Sequence, residues 1–351
     1  MKELKKTSWR SPSNIALVKY WGKHGKQLPS NPSISFTLDK CYSETSFAIS
    51  EKSPKDKDIQ LKFYFDKKEN LAFRIKILSF FESIAKDFPF LSKYALSIHS
   101  TNSFPHSSGI ASSASAMSAL ALCLCDMEAK LKPSGSKIDK DKFLKKASYY
   151  ARIGSGSASR SLYPVVSLWG ETAKVKGSSD EHAIPFENEI HKTFKKYQNS
   201  ILIASSAEKK VSSRVGHALM KTNPFAKARF KQANENIGEM ISALKTGDIE
   251  KFGIITETEA MTLHALMMCS SPNFILMNPS SLTMINKIKT FREMTKLPLY
   301  FTLDAGPNIH LLYPENIKSK VIPFIQSELS EHCEDGRIIW DQIGKGPTAI
   351  K

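Results

Sequence analysis

Three short segments rich in glycine, serine and alanine constrain this chain more than any other feature of its sequence. They cover residues 105–114, 154–160 and 304–308. The first stands directly before an apolar stretch, so its backbone N–H groups are expected at a helix start, where the helix dipole favours negative charge. The second adds Arg160, which can grip a carboxylate or phosphate with two parallel hydrogen bonds, and the third adds Asp304 beside a turn. Together the segments predict a site for a highly anionic substrate.

The composition is that of a globular protein with room for two domains. The chain has 351 residues, of which 41% are hydrophobic and 24% charged. It contains no run of about 18 apolar residues, and its N-terminus lacks the apolar stretch of a signal peptide, so we expect neither a membrane span nor secretion. The five cysteines are odd in number and lack the paired spacing of a zinc site, which favours a reducing cytoplasm.

The formal net charge of +16 is compatible with three classes of partner: nucleic acid, a membrane surface and an anionic small molecule. The lysines are scattered among acidic and apolar residues, and no arginine-rich tail occurs. This pattern is typical of a solvated surface, with attraction of a polyanionic metabolite as a secondary benefit. A basic nucleic-acid-binding protein is the alternative, and it would show steeply salt-dependent binding to oligonucleotides.

The spacing of apolar residues predicts a first half rich in β-strands and a second half in which helices and strands alternate. In the first half we predict strands at 33–38, 45–49, 59–65, 94–100, 165–169 and 173–175, and helices at 71–88 and 143–153. Ser112 and Ser113 are interpreted as an N-cap pair that opens a further helix to about residue 127. In the second half we predict strands at 201–205, 299–303 and 309–313, and helices at 215–220, 226–244, 252–268 and 281–294. These elements indicate an α+β chain with a domain boundary near residue 195.

Several motifs of this sequence resemble the diphosphomevalonate decarboxylase family of the GHMP kinase superfamily. Residues 105–114 are similar to the superfamily's phosphate loop, with Ile110 where that motif has leucine. The likeness to the decarboxylases themselves extends over nearly the whole chain and is carried by residues 14–23, 154–161, 211–214, 259–272 and 303–308.

The resemblance implies both a fold and an activity. The fold would be an α+β, two-domain GHMP-kinase fold, with residues 1–195 like ribosomal protein S5 domain 2 and residues 196–351 a ferredoxin-like α/β plait. Family members use ATP and Mg²⁺ to phosphorylate the tertiary 3-hydroxyl of mevalonate 5-diphosphate, and then release phosphate and carbon dioxide to give isopentenyl diphosphate. Because hydroxide is a poor leaving group, its conversion to phosphate makes the elimination feasible.

The resemblance also implies roles for individual residues. Asp304 would sit at the 3-hydroxyl, as general base or as electrostatic partner of the charge that develops at that carbon, while Arg160 would hold the carboxylate and Lys19 would lie near Asp304. The residues implied to grip the charged ends of the substrate are Tyr20, Lys23, Ser155, Ser157, Ser213 and Arg214. The residues implied to cradle the phosphates of ATP are Pro105, Ser108, Gly109, Ala111, Ser112 and Ser113, and the hydroxyl of Ser112 is the candidate ligand for Mg²⁺.

Three positions leave alternatives open. Asn14 could orient Lys19 or Arg160, or could cap the following segment. His217 stands where the family often has methionine, and it could touch the diphosphate, shift the pH profile or be silent. Pro32 replaces a serine, which raises the question of whether the 5-phosphate or the 5-diphosphate is preferred.

A kinase of the same superfamily, which phosphorylates a mevalonate-like alcohol without decarboxylation, is the nearest competing function. The presence of both Arg160 and Asp304 argues against it, because an arginine at the carboxylate suits a coupled elimination. We expect a cytoplasmic homodimer that acts on a small molecule and has no nucleic-acid or membrane partner.

Overall fold

The computed structural model describes residues 3–53, 55–56, 58–105, 110–132, 139–207 and 213–350. The strands are β1 (Glu3–Ala16), β2 (Lys23–His24), β3 (Leu28–Pro29), β4 (Ser33–Ser50), β5 (Leu61–Phe65), β6 (Lys68–Glu69), β7 (Ala95–Asn102), β8 (Val166–Trp169), β9 (Ile184–Pro185), β10 (Tyr197–Leu202), β11 (Tyr300–Thr302), β12 (Ile309–Pro314), β13 (Ile338–Gln342) and β14 (Thr348–Ala349). The α-helices are α1 (Leu71–Ile84), α2 (Phe90–Lys93), α3 (Ser112–Leu131), α4 (Lys140–Gly154), α5 (Ser213–Leu219), α6 (Ala226–Thr246), α7 (Ile249–Met268), α8 (Pro279–Thr295) and α9 (Lys318–Phe324).

The first sheet is organised around the long strand β4. Strand β1 pairs antiparallel along one edge of β4, with a register shift between Pro12 and Asn14. The other edge is divided, because β8 pairs with the start of β4 and β7 pairs with its second part. The sheet order is β14-β1-β4-β7-β5-β6, so the last strand of the chain returns to the first sheet. Helix α3 packs against β1 and β4, and α4 packs on α3, which places one helical layer on this sheet.

The second sheet is antiparallel, with the order β11-β12-β10-β13. Helices α6 and α7 pack on each other, and α7 also packs on β11. The two halves share one hydrophobic cluster, in which the ring of Phe36 lies 5.9 Å from that of Tyr197 and 5.6 Å from that of Phe252. The two halves are therefore joined by packed side chains, and we call the region between them, where Lys19 of the first half meets Asp304 of the second, the cleft.

The predicted α+β class is confirmed, and most predicted elements are present with shifted ends. The predicted strands at 33–38 and 45–49 are parts of the single strand β4, and the strand predicted at 201–205 lies at Tyr197–Leu202. The sequence analysis missed β1 and β13. Among the described helices, none combines the length and apolar character needed to cross a membrane.

Two local predictions are wrong. Residues 173–175 form a turn rather than a strand, because the backbone of Thr172 bonds locally to Ser178 and Val175. Ser112 and Ser113 are the first residues of α3 rather than its N-cap. The N-cap is Ala111, which has a φ of 50° and forms no side-chain cap. The start of α3 therefore has no capping side chain, which leaves room for an anion there.

Candidate active site

Lys19 and Asp304 form an ion pair across the two halves of the molecule. The Nζ of Lys19 donates to Oδ1 of Asp304 at 2.8 Å and to the carbonyl of Ala16 at 2.7 Å. The Lys19 side chain is 2% exposed, whereas that of Asp304 is 26% exposed. Burial lowers the pKa of Lys19, and the charge of Asp304 offsets part of that shift. The ammonium group of Lys19 is thus buried, whereas the carboxylate of Asp304 that it binds faces the cleft.

The loop that carries Asp304 is tied to its surroundings at both ends. The carbonyl of Asp304 accepts from Nε2 of His264 at 3.1 Å and from the Gly306 backbone N–H at 2.7 Å. At the far end, the amide of Asn308 makes two hydrogen bonds of 3.0 Å with the backbone of Ser205, just beyond β10. The strands β11 and β12 flank the loop, so the position of Asp304 is set by the sheet.

A second, deeper ion pair supports Lys19 from behind. Glu259 on α7 accepts two hydrogen bonds from Arg229 on α6, at 2.7 and 2.5 Å, and both side chains are at most 1% exposed. The same carboxylate accepts from the backbone N–H of Lys19 at 2.8 Å, and Arg229 also donates to the carbonyl of Lys19 at 3.0 Å. The backbone of Lys19 is therefore fixed by two groups that the sequence analysis missed. No local signal marks them, because α6 and α7 each carry several other charged residues.

Arg160 lies in a 3₁₀ turn, Gly156–Leu162, and is 3% exposed. Its guanidinium donates from Nη1 to Oγ of Ser33 at 2.9 Å and from Nε to Oδ1 of Asn14 at 3.3 Å. Burial lowers its pKa to about 10, and the nearby charge of Asp304 opposes that shift. Arg160 is therefore a cation at neutral pH, and no described carboxylate lies within salt-bridge distance of it. Of the alternatives for Asn14, the structure supports the one in which this residue orients Arg160.

Tyr20 fills the space between Arg160 and the second half. Its ring packs edge-on against Trp169, with 4.7 Å between centroids, and its buried hydroxyl has no protein partner among the described residues. Burial raises the pKa of this phenol, so it stays protonated and can donate a hydrogen bond. A Cβ at Gly156 would lie 2.8 Å from that hydroxyl, so glycine is required at this close approach.

Lys23, Ser213 and Arg214 lie near one another at a positively charged margin of the cleft, which we call the cationic rim. Lys23 is half-buried and donates to Oε1 of Gln27 at 2.8 Å. Burial and the neighbouring charge of Arg214 both lower the pKa of Lys23. Ser213 and Arg214 are the first two residues of α5 and are exposed. Within the described chain, neither cation has a carboxylate at salt-bridge distance.

The predicted ATP residues meet the substrate loop at the start of α3. The hydroxyls of Ser113 and Ser155 lie 3.3 Å apart, so the first and second glycine-serine segments are in contact. Ser112 is buried and Ala111 precedes it in the left-handed conformation. Ser157 is half-buried and its carbonyl accepts from Asn14 at 3.2 Å. Pro105 precedes the segment that contains Ser108 and Gly109, two predicted residues that lie outside the described part of the chain.

The two-sheet α+β fold, with the Lys19–Asp304 ion pair between its two halves, is that of the GHMP kinase superfamily. Residues 11–184 match the model of the diphosphomevalonate decarboxylase-like N-terminal domain, and residues 200–349 match that of the mevalonate 5-diphosphate decarboxylase C-terminal domain. The chain belongs to the diphosphomevalonate decarboxylase family.

Individual relatives agree with this assignment. The diphosphomevalonate decarboxylase of Debaryomyces hansenii is 30% identical over 338 residues, which cover 93% of this chain and 84% of that protein. The crystal structure of mevalonate diphosphate decarboxylase from Staphylococcus aureus has a TM-score of 0.81 at 29% identity, covering 99% of this chain and 98% of that one. A structure of MDDEF in complex with MVAPP, AMPPCP and magnesium has a TM-score of 0.80 at 27% identity and covers 99% of both chains.

Proposed function

We propose that this chain catalyses the ATP-dependent decarboxylation of mevalonate 5-diphosphate to isopentenyl diphosphate, with release of ADP, phosphate and carbon dioxide. The observation that carries the proposal is the Lys19–Asp304 ion pair beside the buried Arg160, which has no described carboxylate at salt-bridge distance. A kinase needs only the first of these features, whereas an elimination that converts a carboxylate to carbon dioxide also needs a cation to orient that carboxylate. The family membership and the ligands named for the MDDEF structure support the same reaction.

In the proposed reaction, the 3-hydroxyl of the substrate attacks the γ-phosphorus of ATP and ADP leaves. Asp304 accepts a hydrogen bond from that hydroxyl, whose proton passes to an oxygen of the transferred phosphate and later leaves with it. Asp304 therefore stays ionised, and Lys19 keeps its carboxylate in place. The C–O bond to the new phosphate then breaks, and positive charge develops at C3. The carboxylate of Asp304 stabilises this charge, because it is already oriented and only partly solvated.

Arg160 completes the elimination by orienting the substrate carboxylate. Its Nε and Nη1 are occupied by Asn14 and Ser33, so the plane of the guanidinium is fixed before the substrate binds. The bond between the carboxylate carbon and the adjoining methylene breaks, its electron pair forms the new double bond to C3, and carbon dioxide leaves. Tyr20, Lys23, Ser155, Ser157, Ser213 and Arg214 are proposed to bind the charged ends of the substrate.

ATP is proposed to bind with its phosphates at the start of α3. That helix begins with Ser112 and Ser113 and has no capping side chain, and its length gives it a full dipole. Mg²⁺ fits this donor set, since it is commonly held by phosphate oxygens with one or two protein oxygens rather than by a protein cage. The described residues contain no cluster of three or more His, Cys, Asp or Glu side chains that could hold a metal ion. Ser112 is the proposed protein ligand, and the ion would neutralise phosphate charge.

The test is an incubation with mevalonate 5-diphosphate labelled at the carboxylate, ATP and Mg²⁺. We expect labelled carbon dioxide and ADP in equal amounts. ADP without carbon dioxide would instead identify a kinase. A parallel panel of mevalonate, its 5-phosphate and its 5-diphosphate, compared by kcat/KM, tests the expectation that the diphosphate is preferred.

We further propose a domain boundary near residue 195, a cytoplasmic location and a homodimer. The start of β10 at Tyr197 and the gap between the two matched family models support the boundary. Light scattering on the purified chain tests the homodimer, which predicts twice the mass of 39.2 kDa.

A further inference from the structure

His217 of helix α5 contacts the first half of the molecule. The imidazole ring lies between Tyr20 and Trp21, with centroid distances of 4.2 and 4.6 Å. Its Nδ1 accepts a hydrogen bond of 3.0 Å from the backbone N–H of Gly22. The residue is 8% exposed, so this contact is buried between the two halves.

The neighbouring residue shows how close the approach is. A Cβ at Gly216 would lie 2.5 Å from a ring carbon of Trp21, a distance that packed atoms do not tolerate. Gly216 thus allows a close approach because it has no side chain, and His217 supplies a planar ring that accepts a hydrogen bond. Together these two residues pack α5 directly against residues 20–22.

The hydrogen bond requires a neutral imidazole. Nδ1 can accept from Gly22 only when it carries no proton, and the proton of the neutral ring is then on Nε2. Burial lowers the pKa of His217 to about 3, and the cations Lys23 and Arg160 push it in the same direction. The contact therefore persists throughout the neutral pH range.

The contact lies between the two cations of the cationic rim. Ser213 and Arg214 precede His217 by four and three residues, so they project from the same side of α5. Gly22, on the other side of the contact, adjoins Lys23. These two cations therefore flank the same contact, and the charge of Arg214 lowers the pKa of Lys23, as repulsion between like charges does. A neutral contact beside them offsets that repulsion.

We propose that His217 is a positioning residue that docks α5 onto residues 20–22 and so holds Arg214 and Lys23 together to bind the diphosphate of the substrate. The proposal rests on the proposed function, because it assigns the diphosphate to the cationic rim. The role differs from catalysis, since His217 acts through Arg214 and Lys23 and not on the reacting carbon.

The first experiment separates binding from turnover. For His217→Leu, which keeps an apolar side chain but removes the acceptor, we expect the KM for mevalonate 5-diphosphate to rise about tenfold while kcat changes less than about threefold. His217→Gln retains an acceptor and should recover most of the loss. His99→Leu, at an exposed histidine of β7, is the matched control and should behave as wild type. An unchanged KM in His217→Leu would overturn the proposal.

The second experiment is a double-mutant cycle with Arg214→Ala. If His217 acts through Arg214, His217→Leu should raise KM by less than about twofold in the Arg214→Ala background, because the group it positions is gone. An equal effect in both backgrounds would overturn the proposal and identify a purely structural residue. Gly216→Ala is a second route to the same perturbation if His217→Leu does not fold, and it should raise KM in the same way.

Calorimetric measurement of mevalonate 5-diphosphate binding tests the role of His217 independently of the proposed function of the protein. Wild-type protein that binds the diphosphate but releases no carbon dioxide would refute the proposed function and leave the positioning role to be judged by affinity. In that measurement His217→Leu should bind about tenfold more weakly than wild type. Equal affinities would overturn the positioning role alone.

Discussion

The two ends of the cleft are built on opposite electrostatic principles. At the reacting centre, Lys19 is paired with Asp304, and Arg229 behind it is paired with Glu259. At the cationic rim, the charge of Arg214 lowers the pKa of Lys23, and neither cation has a described carboxylate at salt-bridge distance. The Lys19–Asp304 pair is therefore formed before substrate arrives, whereas the proposed counter-charge of the rim is the ligand.

The difference follows from what each end has to do. Charges that act on a transition state must be oriented in advance, and buried charges are tolerated only when they are paired and hydrogen-bonded. Charges that capture an anion gain most when they lie unpaired near solvent. We therefore expect changes at the centre to affect turnover and folding, and changes at the rim to affect binding.

The largest effect is expected for Asp304→Asn. Asparagine keeps the shape but removes the negative charge at the reacting carbon, so kcat should fall by at least about 10³-fold. Release of labelled carbon dioxide measures the loss, and circular dichroism checks that the variant is folded. Turnover within tenfold of wild type would remove Asp304 from the centre of the reaction.

Glu259→Gln should produce the largest loss of stability. It leaves Arg229 charged and buried without a carboxylate, which typically costs about 3–5 kcal/mol in the free energy of unfolding. Urea denaturation measures this change. Glu315→Gln is the control, because its 3.9 Å ion pair with Lys196 is exposed and should contribute little. Equal, small losses in both variants would show that the support behind Lys19 is dispensable.

Arg160→Lys is expected to lower kcat/KM about 100-fold, because an ammonium group cannot bond Asn14, Ser33 and a substrate carboxylate in one plane. Arg152→Lys changes another buried arginine, one that bonds the carbonyl of Glu181 at 2.7 Å, and should retain activity within about threefold. Similar losses in the two variants would mean that Arg160 contributes only to packing.

The smallest effect concerns pH. Burial lowers the pKa of His217 to about 3 and that of His310 to about 4, from an ordinary value of 6.5. The folded state keeps both rings neutral where the unfolded chain protonates them, so their contribution to stability is full above pH 6.5 and declines as pH falls toward 3–4. A His217→Gln, His310→Gln double variant should therefore lose less stability than wild type between pH 7 and pH 4.5. If the melting temperatures of the two proteins fell equally between pH 7 and pH 4.5, the prediction would be contradicted.

The parts of the site that could be predicted are residues whose type and local sequence already suggest their function. Arg160 stands out because it follows a run of small residues, and Asp304 because it directly precedes a turn-forming Ala-Gly-Pro-Asn segment. Such signals are local, and they survive without knowledge of the fold. The strand β4 was similarly accessible, since its alternating pattern extends over most of its length.

The parts that could not be predicted depend on contacts between distant segments. Arg229 and Glu259 look like ordinary charges of surface helices, and only the packing of α6 on α7 buries them. Strand β1 was missed because its first residues are charged and exposed and Pro12 interrupts it. His217 is the clearest case, because its partner is the backbone of Gly22, 195 positions away in the sequence. The pattern of side chains in the sequence gives no information about such a bond to the backbone.

The most direct test of the division between centre and rim is a side-by-side measurement of substrate affinity and kcat in Asp304→Asn and Arg214→Ala. We predict that Asp304→Asn binds mevalonate 5-diphosphate within about threefold of wild type and releases no carbon dioxide, while Arg214→Ala binds about tenfold more weakly with kcat nearly unchanged. If Asp304→Asn loses affinity as strongly as Arg214→Ala, or if Arg214→Ala loses turnover as strongly as Asp304→Asn, the two ends are not separate and the account is wrong.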